Sequence, residues 1–239
     1  LIHTNIKKAF PKNNSAEIKK LTKLMWNNYG RVFAEYMFIK DFRFQKIDSK
    51  IEIIGQEILD EIKKSNKPVV FISGHFSNFE LMAMQIEKAG IKLSAIYRPL
   101  NNIFLNRIME KIRKKYICKN QIKKGIAGTR ELIKFQRNNY SIALMIDQRV
   151  SEGEKVNFFN QEAYTTTIPA QLAKKFDMPI VPIFIERVNA TNFKIKISKP
   201  INFLKSDSIK EITSKLNVII EEMILKNPTQ WIWSHNRWK

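Results

Sequence analysis

The chain has 239 residues, 44% apolar and 11% aromatic, enough to bury a sizeable core and to exclude an intrinsically disordered chain. Its formal charge is +20, from 42 Lys+Arg against 22 Asp+Glu, so its surface should attract polyanions: nucleic acid, an anionic membrane or an acidic carrier protein. The joint richness in Lys, Ile and Asn also fits compositional drift. A single cysteine, Cys118, excludes an internal disulfide framework and a thiolate-built metal site, and no apolar run of about 18 residues is present to span a bilayer.

Residues 1–14 are polar and begin with Leu rather than Met, which leaves room for a preceding signal or anchor segment. Ser15 is placed to cap a helix. Ile18, Leu21, Leu24, Met25, Val32, Phe33, Tyr36 and Met37 then recur at helical spacing, a stripe that predicts core packing, with Gly30 as a weak point. A short strand is expected at Ile51–Ile54 and a helix at Gln56–Lys64. Pro68–Glu80 reads PVVFISGHFSNFE: a buried strand over Val69–Ser73, a turn at Gly74, His75, and a helix opening at Phe76 and ending near Gly90.

Lys92–Tyr97 is the next strand, and the β-loop-α-β pattern favours parallel pairing with a right-handed crossover. Residues 101–115 form a basic amphipathic helix. Its pattern fits both a core helix with a solvated basic face and a helix lying on a membrane. Beyond a short strand from Ile117 come a helix over Thr129–Arg137 and a buried strand over Ser141–Ile146 closed by Asp147-Gln148-Arg149. A strand at Val156–Phe159, a helix capped by Thr165–Thr167, strands at Ile180–Glu186 and Phe193–Ser198 and a Ser208-capped helix complete the chain. The pattern predicts one α/β domain over residues 1–239, with a mixed, mainly parallel sheet flanked by helices.

Of the three histidines, His75 has the most promising surroundings. It follows a strand at its C-terminal end, where open α/β sheets place their chemistry. A general-base imidazole needs its other ring N–H held by an acceptor, and Glu80, one turn on, is the expected partner. The same residues also suit a buried histidine with a structural hydrogen bond. Ser73 and Ser77 lie outside any G-x-S-x-G elbow, and Cys118 has no histidine nearby in sequence. A substrate hydroxyl activated by His75 therefore fits better than an enzyme nucleophile. Backbone N–H groups after Gly74, Arg98 and Arg113 are the candidates to stabilise an oxyanion or bind phosphate. Asp147 is placed to orient a polar group or to serve as a turn carboxylate.

His75-Phe-Ser-Asn-Phe-Glu80 resembles the H-x4-D/E motif of the glycerolipid and lipid A acyltransferase superfamily. Further blocks resemble its lipid A late acyltransferases, the lauroyl and myristoyl transferases. They are Asn5–Pro11, Tyr97–Asn102, Asp147-Gln148, Val156–Phe159, Ala163–Thr167 and the ending Gln230–Lys239. Asn160 and Asn236 stand where a glycine and an arginine are usual, and the usual hydrophobic N-terminal anchor is not seen. The resemblance implies transfer of a fatty acyl chain from acyl carrier protein, or acyl-CoA, to a hydroxyl of a lipid A precursor, at the cytoplasmic face of the bacterial inner membrane. It implies no cofactor beyond the acyl donor and no metal. By the same resemblance His75, Glu80 and Arg113 are catalytic, and Arg98, Asp147, Gln148, Asn78 and Thr166 bind substrate. Expected partners are the acidic carrier protein, the lipid A precursor and an anionic membrane surface, not nucleic acid. Acyltransfer to another membrane glycolipid or phospholipid, and nucleic-acid binding through the basic, aromatic tail, are the rival readings.

Overall fold

The computed structural model describes residues 1–46 and 50–239. Asn14, not Ser15, caps the first long helix. Its side chain accepts from the Glu17 N–H while the Glu17 carboxylate takes the Asn14 N–H, a reciprocal capping box. A short helix α1 (Ile2–Ala9) precedes it, within the stretch expected to be merely polar. α2 (Ser15–Glu35) runs unbroken through Gly30. Its stripe divides: Ile18, Leu21, Met25 and Val32 are buried, whereas Leu24, Phe33 and Met37 are exposed, so the expected core role holds for only part of it. The mixed stretch 41–56 contains the end of α3 (Ile39–Phe44), β1 (Ile51–Ile54) and the start of α4 (Gln56–Ser65); its positions 47–49 lie outside the described residues.

The central strand β2 (Val70–Ser73) is buried at every position, as its unbroken apolar run requires of a strand covered on both faces. α5 (Glu80–Lys88), β3 (Leu93–Tyr97) and α6 (Ile103–Ile112) follow. The helix continues as a π-turn through Arg113–Ile117, so the short strand expected from Ile117 begins three residues later, as β4 (Asn120–Lys123). Then come α7 (Ile126–Arg137), β5 (Ser141–Met145), β6 (Glu154–Phe158), β7 (Gln161–Thr165), α8 (Ile168–Phe176), β8 (Ile180–Asn189), β9 (Asn192–Ile197) and α9 (Ile209–Lys226). Ser208 caps α9 through a second capping box with Glu211.

Seven strands form one sheet in the order β1-β9-β8-β2-β5-β3-β4. Only the β8–β9 pair is antiparallel, so the sheet is mixed and mainly parallel, as expected. β6 and β7 make a separate hairpin. Its two-residue turn is Phe159-Asn160, both with positive φ (51° and 56°). Asn tolerates that left-handed conformation better than most residues, which explains how it replaces the usual glycine.

Register places the site. β2 and β5 are parallel neighbours, with Val70 opposite Ile142 and Ser73 opposite Met145. The two strands therefore end side by side, and the residues just beyond them, Gly74-His75 and Ile146-Asp147, meet at one edge of the sheet.

Candidate active site

The turn after β2 is not helical. α5 starts at Glu80, so His75–Phe79 forms an irregular loop, with Ser77 in the left-handed region (φ 40°). Gly74 is required here by space. A Cβ on it would lie 2.8 Å from the Phe76 ring and 3.2 Å from the Asp147 Cβ. A side chain there would push the Phe76 ring aside and press on the β5 terminus.

That approach gives His75 its partner. Its Nδ1 lies 2.8 Å from Asp147 Oδ1, and its backbone N–H donates to Asp147 Oδ2 at 2.8 Å. The indole N–H of Trp231 donates to the same Oδ2, also at 2.8 Å. Asp147 is buried, and His75 keeps part of its ring exposed. Phe79 packs edge-on against the imidazole with ring centres 4.9 Å apart. A carboxylate at Nδ1 selects the tautomer that carries its proton there. That leaves the Nε2 lone pair uncommitted, and no hydrogen bond among the described residues engages it.

Burial disfavours the imidazolium, but the Asp147 charge and hydrogen bond outweigh it and hold the His75 pKa above its ordinary 6.5. Burial likewise opposes the Asp147 charge. His75 and the Trp231 N–H nevertheless keep its pKa down at about 2.

Glu80 does not hold His75, contrary to expectation. Because α5 begins only at Glu80, the two side chains do not share a helical turn. The Glu80 carboxylate instead accepts from Arg113 Nε at 2.8 Å and Nη2 at 2.5 Å, and from the Tyr36 hydroxyl at 3.0 Å, all on Oε1. Arg113 is mostly buried, and its guanidinium also stands over the Tyr97 ring at 5.7 Å. Burial works against the Arg113 charge, yet Glu80 raises its pKa above the usual arginine value. The expected Arg113 and Glu80 thus form one unit beside the His75–Asp147 pair.

The other expected residues separate. Asn78 is buried, and its amide donates to Glu35 at 3.0 Å. Glu35 in turn takes both Nη atoms of Arg187. Asn78 thus ties the loop to α2 and β8 instead of being offered to a substrate. Thr166 is buried, and its hydroxyl accepts the Ile168 N–H at 3.4 Å, at the start of α8. Gln148 is half-buried just beyond Asp147, and Arg98 is exposed at the end of β3. The backbone N–H groups expected to stabilise an oxyanion are occupied: His75 donates to Asp147, Phe76 to the Gly74 carbonyl and Ser77 to the Gln230 carbonyl. Burial raises the Cys118 pKa to about 12, which leaves it a neutral, unreactive thiol. Among the described residues, no group of three or more His, Cys, Asp or Glu is placed to hold a metal ion.

The C-terminal tail supplies groups that the pattern of residues did not reveal. The Gln230 side-chain amide brackets the Arg187 backbone, accepting its N–H at 2.7 Å and donating to its carbonyl at 2.8 Å, while Trp231 forms an antiparallel bridge with Phe76, so the tail is held between β8 and the loop after β2. Trp231 then reaches Asp147. Arg237 is buried, donates to the Tyr164 carbonyl at 2.7 Å and to Thr165 Oγ1 at 2.6 Å, and stands 4.5 Å over the Phe158 ring. Burial lowers its pKa to about 10. Asn5 of α1 donates to the carbonyls of Trp233 and His235, closing the tail against the N-terminal helix. The available signal was that a buried indole N–H needs an acceptor.

Comparison with known proteins gives this arrangement its context. Residues 1–239 match the family described as bacterial lipid A biosynthesis acyltransferase. The chain is 23% identical over 234 residues to the lipid A biosynthesis myristoyltransferase of Escherichia coli (strain K12), covering 96% of this chain and 71% of that one. It is 22% identical over 245 residues to the lipid A biosynthesis lauroyltransferase of the same organism, covering 100% and 78%. Among solved structures, the 1-acyl-sn-glycerophosphate (LPA) acyltransferase of Thermotoga maritima aligns with a TM-score of 0.48 at 14% identity, over 94% of this chain and 88% of that one. The chain carrying the His75–Asp147 pair and the Glu80–Arg113 pair belongs to the bacterial lipid A biosynthesis acyltransferases.

Proposed function

We propose that this protein transfers a fatty acyl chain from the thioester of acyl carrier protein directly to a hydroxyl of a lipid A precursor, with His75 as general base and without an acyl-enzyme. The observation that carries this reading is the His75–Asp147 contact, which directs an unprotonated Nε2 away from the carboxylate. In the reaction the acceptor hydroxyl gives its proton to Nε2 as its oxygen attacks the thioester carbonyl. Asp147 stabilises the resulting imidazolium. The tetrahedral oxyanion collapses, the C–S bond breaks, and the departing thiolate takes the proton from His75.

Because the loop amides at His75–Ser77 are occupied, stabilisation of the oxyanion falls to cationic side chains. Arg113, kept charged and positioned by Glu80, is the best-placed of these. Glu80 acts through Arg113 rather than on the imidazole. Arg98 and Gln148, at the ends of β3 and β5, are the remaining expected residues near the surface of this edge and are assigned to acceptor binding. The net charge of +20 suits an acidic carrier protein, lipid phosphates and the anionic cytoplasmic face of the inner membrane.

The test is mass spectrometry of lipid A from a strain lacking late acylation that expresses this chain, paired with purified transfer from acyl carrier protein. Addition of one acyl mass in cells, lost in His75→Ala, is the expected result. Transfer through a stable acyl-enzyme, or normal turnover by His75→Ala, would refute the mechanism.

A further inference from the structure

α6 faces the wrong way for a core helix. Asn106 and Glu110 lie on its half-buried side. Asn106 caps the Leu100 N–H and donates to Glu110, which also binds the Tyr97 hydroxyl and Lys123. Arg113, one turn on, reaches Glu80. Met109 and Ile112 are half-buried, Ile112 against the core, but most of the apolar residues point outward: Ile103 is 67% exposed, Phe104 78% and Ile108 57%, and no residue of α6 is fully buried. A core-facing amphipathic helix has the opposite polarity. The reading of 101–115 as a core helix therefore holds only for the side that carries Met109 and Ile112, and the face with most of its apolar residues is open.

A second outward patch belongs to α2 and the turn after it. Trp26, Tyr29, Phe33 and Met37 recur three or four residues apart, beside the buried stripe. Phe33 is 75% exposed and Met37 82%. Tyr36, next to Met37, and Arg113, directly after α6, both donate to the same oxygen, Glu80 Oε1. The segments that carry the two patches are thus tied to one carboxylate at the candidate active site. Along the flank of α6 runs an open groove of roughly 680 Å³ lined by Arg107, Lys111, Lys114, Lys115 and Lys119, with Glu110 and Asn120. Among the described residues no helix is long and apolar enough to cross a membrane.

We propose that the outward faces of α6 and of the α2 end form one interfacial docking surface for an anionic phospholipid bilayer, with Phe104, Ile108, Phe33 and Met37 inserted among acyl chains and with Arg107 and Lys111 of α6 and Lys114 and Lys115 of the π-turn on the headgroups. Apolar residues beside exposed, flexible cations are the composition of a helix that lies in a membrane interface. An acidic protein would suit the lysine groove, but it would leave Phe104 and Met37 without an apolar counterpart. The role of this surface rests on the reading that the acceptor is a membrane lipid. Docked this way, the protein would present its Glu80–Arg113 unit at the bilayer surface, where such a lipid is anchored.

The molecule carries its own reporter. Trp26 is exposed in this patch, whereas Trp231, Trp233 and Trp238 are buried. Vesicles of phosphatidylglycerol and phosphatidylethanolamine with brominated acyl chains should quench tryptophan emission in the full chain and not in Trp26→Phe. Phosphatidylcholine vesicles should bind more weakly, and added salt should weaken the anionic binding. Phe104→Glu/Ile108→Glu and Phe33→Glu/Met37→Glu should each lower partition by about tenfold or more, since each places two charges where apolar groups insert. Both variants alter exposed positions, so melting temperature should be unchanged, and transfer to a detergent-dispersed acceptor should stay within about twofold of the parent. Partition that ignores headgroup charge and both variants would overturn the proposal. So would variants that weaken acyl carrier protein binding while leaving vesicle binding intact. Vesicle binding lost in the variants, in a protein that transfers no acyl group, would sustain the docking surface and reject the acyltransfer reading.

Discussion

His75 Nδ1 and Asp147 Oδ1, 72 residues apart in the chain, lie 2.8 Å from each other because β2 and β5 end side by side. Asp147→Asn keeps the shape and removes the charge that fixes the tautomer. It should lower kcat by roughly 10²–10⁴-fold, the range expected when a base loses its orienting carboxylate. The acid limb should also move. In the parent, activity should fall as pH drops through the His75 pKa, which Asp147 holds above 6.5. Without that charge His75 protonates less readily, so the limb should shift to lower pH. A kcat/KM profile from about pH 5 to 9 checks both.

Trp231→Phe tests the tail from the other side. Phenylalanine keeps an aromatic ring against Trp233 and Phe158 but loses the N–H that Asp147 Oδ2 accepts. Unfolding in urea should show a loss of roughly 1–3 kcal/mol, the cost of removing one partner from a buried polar group. Asp147, less stabilised as an anion, should draw the imidazole proton more strongly. The acid limb should then move to higher pH, opposite to Asp147→Asn. An unmoved limb would reduce Trp231 to packing.

Arg113→Ala should cost far more activity than Arg107→Ala, its exposed neighbour on the same helical run. Arg113 is mostly buried against Glu80, and removing it strands that carboxylate. Loss of one partner of such a pair destabilises by roughly 3–5 kcal/mol, less here because both groups keep some solvent contact. Steady-state kinetics and a denaturation curve separate the catalytic loss from the structural one. Equal activity losses in both variants would reduce Arg113 to general charge.

Asn160→Gly should be neutral for activity and raise stability by roughly 1 kcal/mol or less, because φ of 56° suits glycine better than asparagine. A thermal melt checks this; a lower melting temperature would mean that the Asn160 side chain contributes more than its backbone costs.

Local sequence was enough to determine most of the elements and the location of the site, but not α1, β7 or the irregular loop after Gly74. The apolar run before Gly74 has to be a buried strand, the three-four spacing of α9 has to be a helix, and a histidine just past a central strand stands where an α/β sheet exposes its groups. The ordered motifs from Asn5 to Lys239 also pointed to the family. Which groups touch was decided by tertiary structure. Glu80 is the nearest carboxylate to His75 along the chain, yet the loop at 75–79 separates them, while strand register delivers Asp147 from 72 residues away. The outward face of α6 was equally hidden, because periodicity shows that a helix has an apolar side but not what that side meets. Hydrogen bonds across strands, and the partners of helix faces, depend on the packing of distant segments, and no local pattern of residues encodes that.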